Sequence, residues 1–125
     1  PQLPVIPLAG TVFNPPKYRG RGTIRLQWDS LVASTALNYI GALVDDLPAG
    51  RQRLSPQFIF DLGLSYTLVR GTGRDPGLEL SLTVQNLFDR EPEVLNQASP
   101  TITPFDSTNY SAIGRFIAFG IRRHW

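Results

Sequence analysis

The segment "LELSLTVQ", residues 78–85, most constrains the fold of this chain, because its apolar residues occur at every second position. A period of two places the leucines and the valine on one side of an extended strand and the polar side chains on the other. A helical period of 3.6 would distribute the same leucines around the whole helix. The segment therefore predicts a β-strand with one apolar and one polar face.

Other segments of the chain alternate in the same way, among them "TIRLQWDS", "FIFDLGLSYTLV" and the final "GRFIAFGIRRHW". The 11 glycines and 11 prolines indicate many turns. No run approaches the roughly 18 consecutive apolar residues of a membrane-spanning helix. We therefore predict an all-β chain with a Pro/Gly-rich loop or incomplete strand at 1–22. The predicted strands are 23–29, 32–43, 58–69, 78–88 and 113–125.

The connections between these strands alternate between short and long. The links at 29–30 and 70–77 are short, whereas those at 45–57 and 89–111 are long. This rhythm favours an antiparallel up-and-down meander with its tight turns at one end. Bacterial outer-membrane barrels share that asymmetry and have strands of about 9–11 residues. We expect each strand to pair with its sequence neighbour.

The apolar faces of the five strands are nearly pure Leu, Ile, Phe, Trp and Tyr, and the opposite faces are small or polar. Five strands supply no second sheet to cover the apolar side, and an open sheet leaves two unpaired edges. We therefore expect the chain, which begins at Pro1 without an initiator Met, to be a segment of a longer protein. We expect the apolar face to be convex and to meet lipid. The predicted lipid-facing residues are Ile24, Leu26, Trp28, Leu37, Tyr39, Phe60, Leu62, Leu64, Leu78, Leu80, Leu82, Val84, Ile117, Phe119 and Ile121.

Several stretches of the sequence resemble the C-terminal end of the TonB-dependent receptor β-barrel. They are "FNPPKYRGRG", "LNYIG", "VQNLFDREP" and "STNYSAIGRFIAFGIRRHW", and they occur in the family's order. The family motif falls on Asn86, Leu87, Phe88 and Asp89. The resemblance implies a barrel of about 22 antiparallel strands with a plugged lumen. Residues 23–125 would form the last five of those strands.

The same resemblance implies a function and a set of partners. Members of this family import siderophores or similar scarce nutrients across the outer membrane of Gram-negative bacteria. The implied partners are outer-membrane lipid, the rest of the barrel and its plug domain, the TonB energy-coupling complex and the barrel-assembly machinery. The plug and the coupling box lie N-terminal in the family, so this segment alone would not transport.

In the family, the last strand is a signal for barrel assembly and ends on Phe or Trp. Here the resemblance assigns that signal to Phe119, Gly120, Ile121 and Trp125. The pattern expects a hydrophobic residue where Arg123 stands, but an arginine near the membrane interface costs only about 0–1 kcal/mol. We expect deletion of Trp125 to lower the amount of folded barrel, and its replacement by Phe to be mild.

Sites with recognisable chemistry are few. The chain has no cysteine, and no nucleophile–base constellation is visible, so we predict neither an enzyme nor a cofactor. The net charge of +2 gives no argument for nucleic acid. The acidic residues Asp45, Asp46, Glu91 and Glu93 of the long connections could contact a cationic or metal-bound ligand, although solvated loop charge is the default interpretation. The same possible ligand loops also carry Arg51, Arg53 and Asp106.

Two other interpretations of the sequence stay open. One is a soluble β-sandwich that binds a ligand such as a glycan through aromatic residues in its loops. The other is a small barrel formed by oligomerisation of the five-stranded sheet. A sandwich module would be monodisperse in plain buffer, whereas either membrane interpretation predicts aggregation without detergent.

Overall fold

The structure, a computed structural model, describes residues 6–46, 50–69, 77–96, 101 and 103–124. These residues form β-strands and irregular connections. No helix within these ranges has the length and apolar character needed to cross a membrane. The strands are β1 (Arg19–Trp28), β2 (Leu31–Ile40), β3 (Leu43–Asp45), β4 (Gln52–Leu54), β5 (Gln57–Val69), β6 (Gly77–Gln85) and β7 (Phe116–His124).

The main sheet has five strands in the order β1-β2-β5-β6-β7, and β3 pairs with β4 in a separate two-stranded sheet. The five-stranded sheet is an antiparallel up-and-down meander. The predicted fold class and the predicted order of strand pairing are therefore confirmed. A Greek-key order, in which a strand skips its neighbour, would have favoured the sandwich.

The register of the last three strands shows which residues share a face. Leu64 lies opposite Leu82, and Leu82 lies opposite Phe119. One position along each strand, Ser65 lies opposite Ser81, and Ser81 opposite Gly120. Directly opposed residues of an antiparallel pair point to the same side of the sheet. The apolar residues therefore form rows across the strands on one face, and the polar residues form rows on the other face. The shared face predicted for the leucines of β5 and β6 is confirmed, and its convexity stays a prediction.

Four strand ends differ from the sequence-based prediction by three residues or more, and one of them is the start of β7, at Phe116 rather than at residue 113. Strand β1 begins at Arg19 rather than at residue 23, β2 ends at Ile40 rather than at 43, and β6 ends at Gln85 rather than at 88. The last difference has a clear cause, because Asn86 has a φ of 51°. That left-handed conformation cannot continue a strand.

The connection at 45–57, predicted to be irregular, contains half of a hairpin. Leu43 of β3 lies opposite Leu54 of β4, and both side chains are fully buried. The N-terminal segment joins β3 through hydrogen bonds from the Val12 amide to the Val44 carbonyl and from the Val44 amide to the Gly10 carbonyl. The sequence pattern missed this hairpin because three-residue strands are too short to display a period.

The chain divides into two compact units. The first unit comprises Pro1–Gly20, Tyr39–Phe58 and Glu91–Ala112, and the second comprises Arg21–Asn38, Ile59–Arg90 and Ile113–Trp125. The first unit contains the hydrophobic core of buried residues. Its members are Val12, Ile40, Leu43, Leu54, Leu95 and Tyr110.

Candidate functional site

The apolar face of the second unit is largely uncovered by the described chain. Phe119 is 83% exposed and Ile121 is 78% exposed, whereas Val84 on the same face is 6% exposed. A contiguous exposed apolar surface of this kind marks contact with another protein or with a membrane. The predicted lipid-facing residues that are exposed are Ile24, Leu26, Trp28, Leu80, Ile117, Phe119 and Ile121. Those that are half-buried are Leu37, Tyr39, Phe60, Leu62, Leu64, Leu78 and Leu82.

The opposite, polar face of the sheet is lined by small side chains. A Cβ atom added to Gly63 would lie 2.7 Å from the Ser34 hydroxyl oxygen. A Cβ atom added to Gly120 would lie 2.5 Å from the hydroxyl oxygen of Ser81. The glycine of the predicted assembly signal therefore leaves room for the hydroxyl of its cross-strand serine.

The family motif Asn86–Asp89 forms a tight turn after β6. Asn86 and Asp89 both have a positive φ, 51° and 53°. The Asn86 side chain accepts a hydrogen bond from the Arg90 amide (2.8 Å) and donates one to the Arg90 carbonyl (2.9 Å). The Asp89 carboxylate accepts a hydrogen bond from the Arg115 amide (2.6 Å). Asn and Asp tolerate the left-handed conformation and bond their local backbone, which explains these residue types here.

The same turn is attached to β5. One carboxylate oxygen of Asp61 accepts a hydrogen bond from the Asn86 amide, and the other accepts one from the Asn38 side chain, both at 3.0 Å. The Phe88 ring meets the Phe60 ring edge-on, with centroids 5.3 Å apart. The motif therefore has a structural role in this chain: it fixes the ends of β5, β6 and β7.

A second polar centre lies in the first unit, on the fully buried carboxylate of Asp106. One oxygen accepts hydrogen bonds from the amides of Thr108 (3.0 Å) and Asn109 (3.2 Å). The other accepts them from the Phe13 amide (3.0 Å) and the Asn109 side chain (2.8 Å). The Asn109 side chain also donates to the Asn14 carbonyl (2.8 Å). This centre joins the N-terminal segment to the long connection at 89–111.

Tyr110 lies beside this centre, and only 6% of it is exposed. Its hydroxyl has no hydrogen-bond partner among the described residues. Burial, with smaller contributions from Asp106 and Glu93, raises the pKa of Tyr110 to about 12. The neutral phenol is therefore the form that the fold stabilises.

The candidate ligand residues of the long connections divide into two groups. Asp45 and Asp106 are buried and are not solvated loop charges. Glu93 accepts a hydrogen bond from the Ser55 amide (3.2 Å). Asp46 forms an exposed ion pair with Arg51 at 3.3 Å. Glu91 and Arg53 are exposed. Three of the five acidic candidates are therefore buried or hydrogen-bonded within the fold, Asp46 and Arg51 pair with each other, and Arg53 is available to a ligand.

The arginines belong to an open cleft of about 600 Å³ in the first unit. We call it the basic cleft. Its polar lining is formed by Lys17, Tyr18, Tyr39, Arg51 and Arg53.

Sequence reasoning missed Lys17 and Tyr18 as site residues, because they lie in a segment predicted to be a loop. It also missed the hydrogen-bonding role of Asp106, although "FDSTN" carried a signal. An Asp in a loop often accepts hydrogen bonds from the backbone amides two and three residues later, which is the pattern of an Asx turn.

Trp125 and residues 70–76, where the sequence predicts a short turn, lie outside the described residues. Within the described ranges, no group of three or more His, Asp or Glu side chains could hold a metal ion. Comparisons with protein-family models, with curated protein sequences and with solved structures found no match to this chain.

Proposed function

We propose that the chain is a segment of an outer-membrane β-barrel of the TonB-dependent receptor type, which imports a siderophore or a similar scarce nutrient. The observation that carries the proposal is the two-faced meander. Its apolar rows are exposed or half-buried apart from the buried Val84, and its polar rows carry serine, glycine and threonine. A barrel wall between lipid and a wet lumen needs this division of side chains.

A cover of protein is the competing explanation for the apolar face. The described residues contain one further sheet, the β3–β4 hairpin, whose strands have three residues each. By comparison, β1, β2, β5, β6 and β7 have between 9 and 13 residues. A hairpin of that size is too small to act as the second layer of a sandwich. Lipid is the cover that the proposal assigns.

The connections support the same proposal. Alternate connections of a meander leave the sheet at the same end, which groups the long links 41–56 and 86–115 and separates them from the tight turn at Asp29–Ser30. Outer-membrane barrels have short periplasmic turns and longer outer connections. Under the proposal, the long connections at 45–57 and 89–111 face the outside and contribute part of the ligand site.

The edges of the sheet indicate which partners the proposal requires. In the described chain, β1 and β7 are the outer strands of the sheet. A membrane sheet must close, because hydrocarbon satisfies no backbone hydrogen bond. The rest of the barrel would pair with these edges, the barrel-assembly machinery would recognise the final strand, and the plug and the TonB complex would supply the energised step.

The test is to ask which face of β7 meets lipid. Phe119 lies on the apolar face and Phe116 on the polar face, since Phe116 is opposite Gln85. A tryptophan reporter at each position, in a background with Trp28 and Trp125 replaced by Phe, gives a matched pair of aromatic substitutions. In vesicles with brominated acyl chains that hold the complete barrel, with its other tryptophans also replaced, we expect strong quenching of Phe119→Trp. We expect Phe116→Trp to be quenched by acrylamide from the water instead.

Three results would contradict the proposal. Equal quenching of both reporters by brominated lipid would remove the assignment of faces. A protein that is monodisperse in plain buffer and does not bind vesicles would favour the soluble sandwich. Vesicle insertion only as a defined oligomer of this chain would favour the small oligomeric barrel.

A further inference from the structure

The basic cleft of the first unit is built by two close backbone approaches. Gly10 has a φ of +86°, and a Cβ atom there would lie 2.9 Å from Cγ of Lys17. The Gly41 amide donates a hydrogen bond to the Tyr18 carbonyl at 2.8 Å, and a Cβ atom on Gly41 would lie 2.9 Å from that oxygen. Glycine at 10 and 41 therefore lets the Lys17 stem and the Tyr18 backbone lie against the chain.

The charge in this cleft is positive. Lys17, Arg51 and Arg53 line it, and the ion pair of Arg51 with Asp46 offsets one of these charges. Neither Lys17 nor Arg53 has a carboxylate partner in the part of the chain that the structure describes. All three side chains are exposed to solvent. A ligand that compensates this charge would be an anion.

The aromatic residues of the cleft indicate which kind of molecule would carry this anion. Tyr39 lines the cleft and follows Leu37 by two positions on β2, so it continues the apolar row of that strand. Its ring packs on Phe58 with centroids 5.0 Å apart. Tyr18, also in the lining, is 73% exposed. Tyrosines next to apolar rows, with cations beside them, match the chemistry of a membrane interface, where lipid phosphates lie.

We propose that the basic cleft binds the phosphate of a lipid headgroup, with Lys17 and Arg53 as its principal contacts. This inference rests on the proposed membrane function. The acyl chains of the bound lipid would lie against the rings of Tyr18 and Tyr39. A phosphate monoester provides the charge, and the exposed Tyr18 ring and the half-buried Tyr39 ring provide the amphipathic contact that a free ion does not use.

The experiment uses the chain in a non-ionic detergent and follows binding by ³¹P NMR titration. The probes are a short-chain phosphatidic acid, the phosphatidylcholine of the same chain length, and inorganic phosphate. We expect phosphatidic acid to bind at least about tenfold more tightly than either other probe, because only it combines a dianionic headgroup with acyl chains.

The variant pair has matched charge. Lys17→Gln with Arg53→Gln removes two cations from the cleft, and Arg90→Gln with Arg115→Gln removes two exposed cations elsewhere. Each cation near a lipid surface changes affinity roughly fivefold, so the cleft variant should bind phosphatidic acid roughly 25-fold more weakly. The control variant should stay within about twofold of the wild type.

A charge-preserving variant separates binding from folding. Lys17→Arg with Arg53→Lys should retain most of the affinity for phosphatidic acid if charge determines it. Equal losses in the cleft and control variants, or no loss in either, would overturn the site. Binding of inorganic phosphate as tight as that of phosphatidic acid would replace the lipid with a free anion.

Failure of this site and failure of the membrane function give different results. The face test with tryptophan reporters alters neither Lys17 nor Arg53. If the face test fails but only the cleft variant loses affinity for phosphatidic acid, the phosphate site stands and membrane insertion is refuted. A chain that passes the face test and binds phosphatidic acid equally in all variants would refute the site alone.

Discussion

Replacing Asp106 by asparagine should destabilise the first unit strongly, although the two side chains have the same shape. The carboxylate is fully buried and each of its oxygens accepts two hydrogen bonds. The amide of Asp106→Asn turns one of those acceptors into a donor. Whichever oxygen is replaced by the NH₂ group, the two buried N–H groups that donated to that oxygen lose their acceptor.

The size of the effect follows from this count. A buried donor left without an acceptor costs about 1–3 kcal/mol, so two cost about 2–6 kcal/mol. The Asn109 side chain keeps its hydrogen bond to the Asn14 carbonyl, which favours the lower half of that range. Since domains are stable by about 5–15 kcal/mol, the loss would be a large part of the total.

Amide hydrogen exchange is the assay, because it measures stability locally. In Asp106→Asn, the amides of Phe13, Thr108 and Asn109 should exchange faster by the factor that corresponds to the lost free energy. The control is Asp46→Asn, which removes an exposed ion pair with Arg51 and should change stability by less than about 1 kcal/mol. Unchanged exchange at the three amides in Asp106→Asn would refute the assignment of Asp106 as the buried acceptor of the first unit.

Substitutions at Asn86, at the Gly120–Ser81 pair and at Tyr110 test the other packing assignments. Asn86→Gly should relieve the strain of the left-handed backbone but lose the two side-chain hydrogen bonds to Arg90. Asn86→Ala loses the same hydrogen bonds and keeps the strain. Urea unfolding should therefore show that Asn86→Ala is less stable than Asn86→Gly by about 1 kcal/mol. Gly120→Ala should cost about 1–3 kcal/mol through overlap with the Ser81 hydroxyl, and Ser81→Ala should restore much of that loss in the double variant. Tyr110→Phe should cost little at neutral pH because the hydroxyl has no partner among the described residues. Its raised pKa of about 12 lies above the unfolded value near 10, so the wild type should lose stability from pH 10 to pH 12, as measured by alkaline unfolding, and Tyr110→Phe should lose less.

The fold class and the strand order could be predicted because the faces of this sheet differ so strongly. In "LELSLTVQ" every residue is assigned to a side by period two alone. The tight turn at Asp29–Ser30 and the long connections then leave few topologies to consider. Strand ends were predicted less well, because Asn86 and Gly41 end strands through a positive φ and a close backbone approach, which depend on the folded structure.

The residues of the first unit could not be predicted in the same way. Its core combines short segments distant in sequence, such as Val12, Leu43 and Leu95. Each contributes one or two apolar residues, and a period needs several. The basic cleft shares this property, since Lys17 and Arg53 are far apart in sequence and line one cleft where the N-terminal segment pairs with β3. The number of charges along the sequence does not show which of them line the same cleft in the folded chain.

The polar contacts at the strand ends have a consequence for the apolar face. A shift of one residue in strand pairing would transfer every leucine of β6 to the polar side. Asp61 opposes that shift by binding Asn38 and the Asn86 amide at once. The close packing of Gly120 on Ser81 opposes it on the other side of β6. These contacts are too small to supply much stability of their own, but they specify the register. The register in turn decides which side of the sheet is apolar, and any membrane function of this chain depends on that choice.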